Sequence, residues 1–175
     1  MDERMTSRGE PSSFAGLFDE HFPRLYRYLH RVSGEPELAA DLAQEAFARL
    51  HQRGELPDSP GAWLVSVALN LLRNALSTRR RQRELLTPER AEQSLGQAPG
   101  TPEHSASQRL LRDRVRRALD QLPERDRDLL LLHAEGYRYR EMAEVLGLHE
   151  ASVGTLLARA RRAFKQRYEE APDAP

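Results

Sequence analysis

Asn70 and Asn74 stand one helical turn apart, on the same side of a segment as Trp63 and Val67, the four falling at steps of four and three. An asparagine amide donates and accepts at once, which suits a base edge, while an indole either stacks on an unpaired base or fills a core. Arg73 and the tract Arg79, Arg80, Arg81 follow on the same segment. Guanidinium groups suit phosphate oxygens, contacts that position a nucleic acid without specifying its sequence. Cations also suit a helix C-terminus, so part of the tract needs no ligand to explain it. Upstream, Asp41, Gln44 and Glu45 at i, i+3 and i+4 share one helix face. That ridge of carboxylates and amide fits basic side chains on a helical partner, or simply water. All of this is the chemistry of recognition.

Covalent chemistry finds little to work with. Cysteine is absent, which excludes disulfides, thiolate catalysis and zinc–thiolate sites. No glycine-rich phosphate loop, nucleophile elbow or metal-spaced cluster of His, Asp and Glu occurs. His21, His30, His51 and His133 read as surface or satisfied helix residues. The chain is therefore expected to be no enzyme and to use no metal, cofactor or small-molecule substrate.

The elements that must position these residues read as helices throughout. The segment from Tyr139 to Arg162, YREMAEVLGLHEASVGTLLARARR, holds two short helical patterns meeting at Gly147. Met142, Ala143 and Leu146 give the first an apolar face, and Val153, Leu157 and Ala160 do the same for the second. Gly147 can take the left-handed conformation that ends a helix, and Leu148 plugs the corner. This is the pattern of a helix-turn-helix, whose second helix lies in the major groove. His149, Glu150, Ser152 and Thr155 near the start of that helix, with Arg159, Arg161 and Arg162 beyond, are the residues it offers to DNA.

Apolar residues from Phe14 to Val32 recur at threes and fours, with Pro23 predicting a break or kink. A second helix is expected from about Pro36 to His51, burying Leu42, Ala43, Ala46, Phe47 and Leu50. A third starts with Ser59 as N-cap and Pro60 at its first position. Between Thr87 and Gln108 the composition shifts to Pro, Gly, Ser, Gln and Thr, the signature of a flexible linker. A further helix begins near Arg109, with Leu111, Val115, Ala118, Leu119 and Leu122 facing inward, and another covers Leu129 to His133. The expected fold is all-α. Two small helical domains, residues 14–86 and 109–168, are joined by the 87–108 linker and flanked by disordered tails at 1–13 and 169–175.

The 175 residues carry 27 basic and 27 acidic side chains. Proteins that hold DNA unaided usually present net positive charge. Here acids outnumber bases up to Gln52, and bases dominate Arg73 to Arg90 and Arg138 to Arg167. Segregated but balanced charge implies DNA contacts supported by a partner. No apolar run approaches the roughly 20 residues of a membrane span, and the N-terminus lacks a signal-peptide core, so a soluble, cytoplasmic protein without membrane insertion is expected.

Three blocks in order resemble the extracytoplasmic-function sigma factors of bacterial transcription: DLAQEAFARL (Asp41–Leu50), SPGAWLVSVALNLLRNALSTRRR (Ser59–Arg81) and LPERDRDLLLLHAEGYRYREMAEVLGLHEASVGTLLARARR (Leu122–Arg162). The resemblance spans residues 14–168. It implies that Asp41, Gln44 and Glu45 bind the clamp of the large subunit of core RNA polymerase. It also implies that Asn70, Arg73, Asn74 and Arg79 to Arg81 engage the −10 element, and that the loop from Arg53 to Asp58 holds a base flipped from the non-template strand. The second domain would read the −35 element and touch the polymerase flap. An anti-sigma factor is implied as a further partner, holding the protein at the inner membrane in some relatives.

Two departures from the family pattern stand out. Asn74 occupies a position where Asp is common. Gly154, Thr155 and Leu156 replace the usual basic residue and Ser-Arg, while Arg138 and His149 replace the helix-start serines. Gly154 either admits the backbone close to DNA or simply weakens the helix by about 1 kcal/mol. The neutral chain is expected to bind DNA poorly alone, its domains packing together to hide both faces. The competing readings are a sigma mimic that sequesters an anti-sigma factor without touching DNA, and a dimeric helix-turn-helix repressor.

Overall fold

The computed structural model describes residues 14–85 and 106–170, and within them the only regular elements are helices. They are α1 (Phe14–Ser33), α2 (Pro36–Arg53), α3 (Pro60–Leu85), α4 (Ala106–Asp120), α5 (Glu124–Ala134), α6 (Tyr139–Leu146) and α7 (Glu150–Glu170). The first three pack on one another around Leu25, Tyr28, Leu29, Ala43, Phe47, Leu64, Val65 and Leu72. In the second unit α4, α5 and α6 all pack against α7, which contributes Val153, Leu157 and Ala160. Hydrophobic burial of these side chains, about 1.5–3 kcal/mol for each large one, holds both units together.

Several expectations are corrected. α1 runs through Pro23 without the break that was one of the two expected outcomes. Proline removes the bond to the Asp19 carbonyl, but Asp19 and Pro23 both face solvent, so water can satisfy that oxygen. On the buried side Phe18 and Phe22 stack at 4.5 Å and carry the packing across the proline. α2 runs on to Arg53, where Gly54 ends it in the left-handed conformation. α4 begins at Ala106, so residues 106–108, expected in the linker, are helical, as are Glu169 and Glu170. The rest of that linker and both expected tails fall outside the described residues.

Leu111 is 53% exposed rather than buried. Arg114, one turn later, already lies over Tyr168 at 4.5 Å and donates to its carbonyl. α7 ends two residues further on, leaving little helix to cover Leu111.

The two units also pack on each other, α6 against α3 and α5 against α1. His21, expected as a surface or satisfied helix residue, is buried at this junction, and its Nδ1 has no hydrogen-bond partner. Gly61 lies beside it, where a Cβ would displace the Glu141 carboxylate and press on the His21 ring. Desolvation holds the His21 pKa below its ordinary value of 6.5, and Arg24 acts in the same direction against Glu20 and Glu141. As the pH falls below about 6.5, the unfolded chain therefore takes up this proton before the folded one does. Folding stability should decline over that range, and His21→Phe should flatten the decline in melting temperatures measured from pH 7.5 to 5.5.

Candidate nucleic-acid interface

α2 presents its ridge as its amphipathic pattern dictates. Leu42, Ala43, Ala46, Phe47 and Leu50 are buried, which turns Asp41, Gln44 and Glu45 outward, all three exposed. Glu45 accepts from Arg49 at 2.8 Å, an exposed pair one turn on. Such pairs contribute only a few tenths of a kcal/mol, so the carboxylate is readily taken over by a partner cation.

α3 starts at Pro60, and the Ser59 carbonyl accepts the Trp63 N–H at 3.0 Å. Trp63 packs partly buried against the core, with the Arg53 guanidinium 5.9 Å from its ring centroid. The indole thus serves the core, with the last residue of α2 over its ring. Asn70 and Asn74 are exposed one turn apart, as are Arg73, Arg80 and Arg81.

The arginines are not all waiting for phosphate. Arg79 holds both oxygens of Glu35 at 2.7 and 2.8 Å, clamping α3 to the start of α2. Arg73 reaches Glu124 on α5 at 3.4 Å, and Arg81 reaches the Ser77 hydroxyl at 3.1 Å. Among Arg73, Arg79 and Arg81, Arg79 has the closest carboxylate contact, with Nη1 serving both oxygens, but the pair is nearly half exposed, so a phosphate can displace it.

The helix-turn-helix forms as its spacing requires. Gly147 adopts φ 62° and caps α6, while the Leu148 N–H bonds to the Ala143 carbonyl at 2.8 Å, closing the corner. Arg138 supplies no side-chain cap; instead Glu141 reaches back to accept its backbone N–H at 2.8 Å. His149, Glu150, Ser152 and Thr155 are exposed along the first turns of α7, and so are Arg159, Arg161 and Arg162.

Arg159 pairs with the buried Asp126 at 3.1 Å, and Arg161 lies 3.3 Å from the His133 ring nitrogens. A Cβ on Gly154 would meet the Tyr139 ring at an ordinary 3.6 Å. The free protein thus has room for a side chain there. Among the described residues no group of three His, Cys, Asp or Glu side chains could hold a metal ion.

The same two stretches are what known proteins share. Residues 17–82 match the Sigma-70 region 2 family, and residues 112–164 match the Sigma-70, region 4 family. The ECF RNA polymerase sigma factor SigL of Mycobacterium tuberculosis is 31% identical, over 92% of this chain and 92% of its own length. The chain belongs to the extracytoplasmic-function sigma factors.

The ECF RNA polymerase sigma factor BldN of Streptomyces coelicolor is 32% identical over 88% of this chain, which spans 60% of BldN. Among solved structures, the sigma factor RpoE of Bartonella quintana, crystallised with the anti-sigma factor NepR, superposes with a TM-score of 0.64. It covers 91% of this sigma factor and 98% of RpoE at 18% identity, a likeness of fold. α1 to α3 of this sigma factor thus carry region 2, and α4 to α7 carry region 4.

The expected concealment of the binding faces is corrected by the geometry. The two regions do pack together, yet Asp41, Gln44, Glu45, Asn70, Asn74, His149, Glu150, Ser152 and Thr155 all remain exposed. The buried face is a different one, formed by α1, the start of α3, α5 and the start of α6. Its charged residues, Arg24, Arg27, Arg31 and Glu135, are spaced as on a solvated face, so no local pattern marks it, although Tyr28 and Tyr137 are buried with them. His21 alone carried a signal, standing in register with the buried Leu17, Leu25 and Leu29 at spacings of four.

Proposed function

We propose that this protein is an alternative sigma factor that binds core RNA polymerase and directs it to promoters by reading −10 and −35 elements. Asp41, Gln44 and Glu45 dock region 2 on the clamp, and region 4 contacts the flap. Asn70 and Asn74 read exposed bases of the melted −10 strand, with Arg73, Arg80 and Arg81 holding phosphates. Arg79 is available to DNA only when it leaves Glu35. His149, Glu150, Ser152 and Thr155 face the −35 major groove, with Arg161 and Arg162 on the backbone and Arg159 tied to Asp126. The observation that carries this reading is that both sets of residues stand exposed on helices within the matched sigma regions. An anti-sigma factor is proposed as the controlling partner, as RpoE has in NepR. The chemistry of transcription belongs to the polymerase, so the protein works by binding in the cytoplasm; no described helix is long and apolar enough to cross a membrane.

Run-off transcription from the protein's own upstream region, with purified core polymerase, tests the proposal. A start-specific transcript should require the protein and fall at least about tenfold with Asn70→Ala, consistent with losing one base contact of about 1–3 kcal/mol. Binding of core polymerase should be unchanged in that variant. Absence of any transcript, with an anti-sigma factor still captured, would convert the protein into a decoy.

A further inference from the structure

Arg159 is held by a carboxylate that has little other reason to be buried. Asp126 stands in the first turn of α5 with its side chain only 7% exposed, and its Oδ1 accepts from Arg159 Nη2 at 3.1 Å. Its other cationic neighbour, Arg125, is the residue before it on α5, at 3.8 Å. Desolvating a carboxylate is costly, and an ion pair whose arginine is 52% exposed offsets little of that. An apolar side chain at this position would serve the contact of α5 with α7 as well or better. What the carboxylate supplies is direction.

Arg159 and Arg162 are neighbours about one turn apart on α7, both exposed. They differ in how they are held. Arg162 makes no hydrogen bond or ion pair to any described residue. Arg159 is fixed through Nη2 alone, so Nε and Nη1 keep their donors, with no acceptor among the described residues. A guanidinium carries its donors in one rigid plane. Holding one corner of that plane on a buried atom restricts where the others point.

We propose that Asp126 is a positioning residue for promoter binding: it presents Arg159, already ordered, to a backbone phosphate at the edge of the −35 groove. Recognition helices put their base-reading residues in the first turns. Arg159 lies in the third turn of α7, which suits a phosphate better than a base edge. Ordering a long side chain on binding costs entropy, and Asp126 imposes that order in the free chain. The repulsion between this carboxylate and the phosphate is the weaker effect, because the guanidinium lies between them and salt screens the exposed side. The role at DNA rests on the function proposed above; the hold on Arg159 does not.

Holoenzyme assembled from core polymerase and the full-length chain can be titrated with a duplex from the protein's own upstream region at several salt concentrations. Arg159→Ala and Arg162→Ala should each weaken binding about tenfold and reduce the salt slope by about one, as loss of a phosphate contact does. Asp126→Asn keeps the arginine and the side-chain shape; it should weaken binding about threefold or more while keeping the parent's salt slope. That loss should vanish in the Arg159→Ala background and persist in the Arg162→Ala background. A merely structural role for Asp126 would show in every background. In the free chain, nitrogen relaxation of the Arg159 side-chain Nε, assigned by its absence in Arg159→Lys, should report restricted motion in the parent and freer motion in Asp126→Asn.

Binding that is unchanged or strengthened by Asp126→Asn would overturn the positioning role. So would an equal loss in the Arg159→Ala background. A parent holoenzyme that fails to bind the duplex would refute the sigma reading instead. The relaxation measurement would then still decide the hold on Arg159, and equal motion in parent and variant would overturn it.

Discussion

A variant carrying Asp41→Arg and Glu45→Arg should lose association with core polymerase by two orders of magnitude or more, while folding as the parent does. Both side chains are exposed, and the residues that anchor α2, Leu42, Ala43, Ala46, Phe47 and Leu50, are untouched. The folded state forfeits only the exposed Glu45–Arg49 pair, so its stability should change by less than about 1 kcal/mol. Across the docking surface the effect is much larger. If the ridge docks on a basic partner helix as proposed, two attractive contacts become repulsive, and like charges brought together at an interface cost several kcal/mol, about 3 or more.

Fluorescence anisotropy of the labelled chain titrated with core enzyme measures the loss, and thermal melting checks the fold. Gln44→Ala, which removes an amide without reversing charge, should weaken binding by less than about tenfold. If the reversed variant bound core enzyme as the parent does, the polymerase surface would lie elsewhere on region 2, and the exposure of this ridge would be no more than solvation.

The ridge and the helix-turn-helix were legible because each is written in spacings that one helix fixes by itself. Met142, Ala143, Val153, Leu157 and Ala160 could be assigned to a buried side from their periodicity, and Gly147 from the backbone conformation its turn demands. The junction between the regions was not legible, and the reason is physical. Arg24, Arg27 and Arg31 spaced along α1 have the same pattern as a solvated face, and Glu135 at a helix end reads as a surface carboxylate. Which charges meet across two separately folded units is decided by tertiary geometry that no local period records.

The arginines show the same limit at single residues. A basic tract suggests phosphate, but Arg79 closes on Glu35 and Arg159 on Asp126, because acidic partners distant in sequence lie within reach. Leu111 failed for the opposite reason: its spacing is right for a buried face, and the helix that would cover it ends too soon.

Leu157→Ala should cost the most stability of any single truncation in the recognition helix, and it should take −35 binding with it. Leu157 is 1% exposed and lies in the cluster that also holds Leu129, Leu132, Met142 and Val153, where α5 and α6 meet α7. Truncating a leucine in such a place removes its transfer energy and leaves a cavity, about 2–5 kcal/mol in total. Region 4 is a small unit with correspondingly little stability to lose, since small domains bury a modest share of their surface. That loss is enough to leave a large share of the molecules with region 4 unfolded near 37 °C.

Region 2 buries Leu25, Leu64 and Leu72 among its own three helices, in a cluster continuous with that of region 4, and should persist. Far-UV circular dichroism should therefore resolve two transitions in Leu157→Ala, the earlier belonging to α4 to α7. Binding to a −35 duplex should vanish above that earlier transition, while binding to core polymerase through α2 survives it. A single transition at the parent's temperature would mean that the cluster around Leu157 closes on the gap. Joint loss of both activities would mean that region 2 depends on region 4 for its fold, and the two would then have to be treated as one cooperative unit rather than as two separately folding domains.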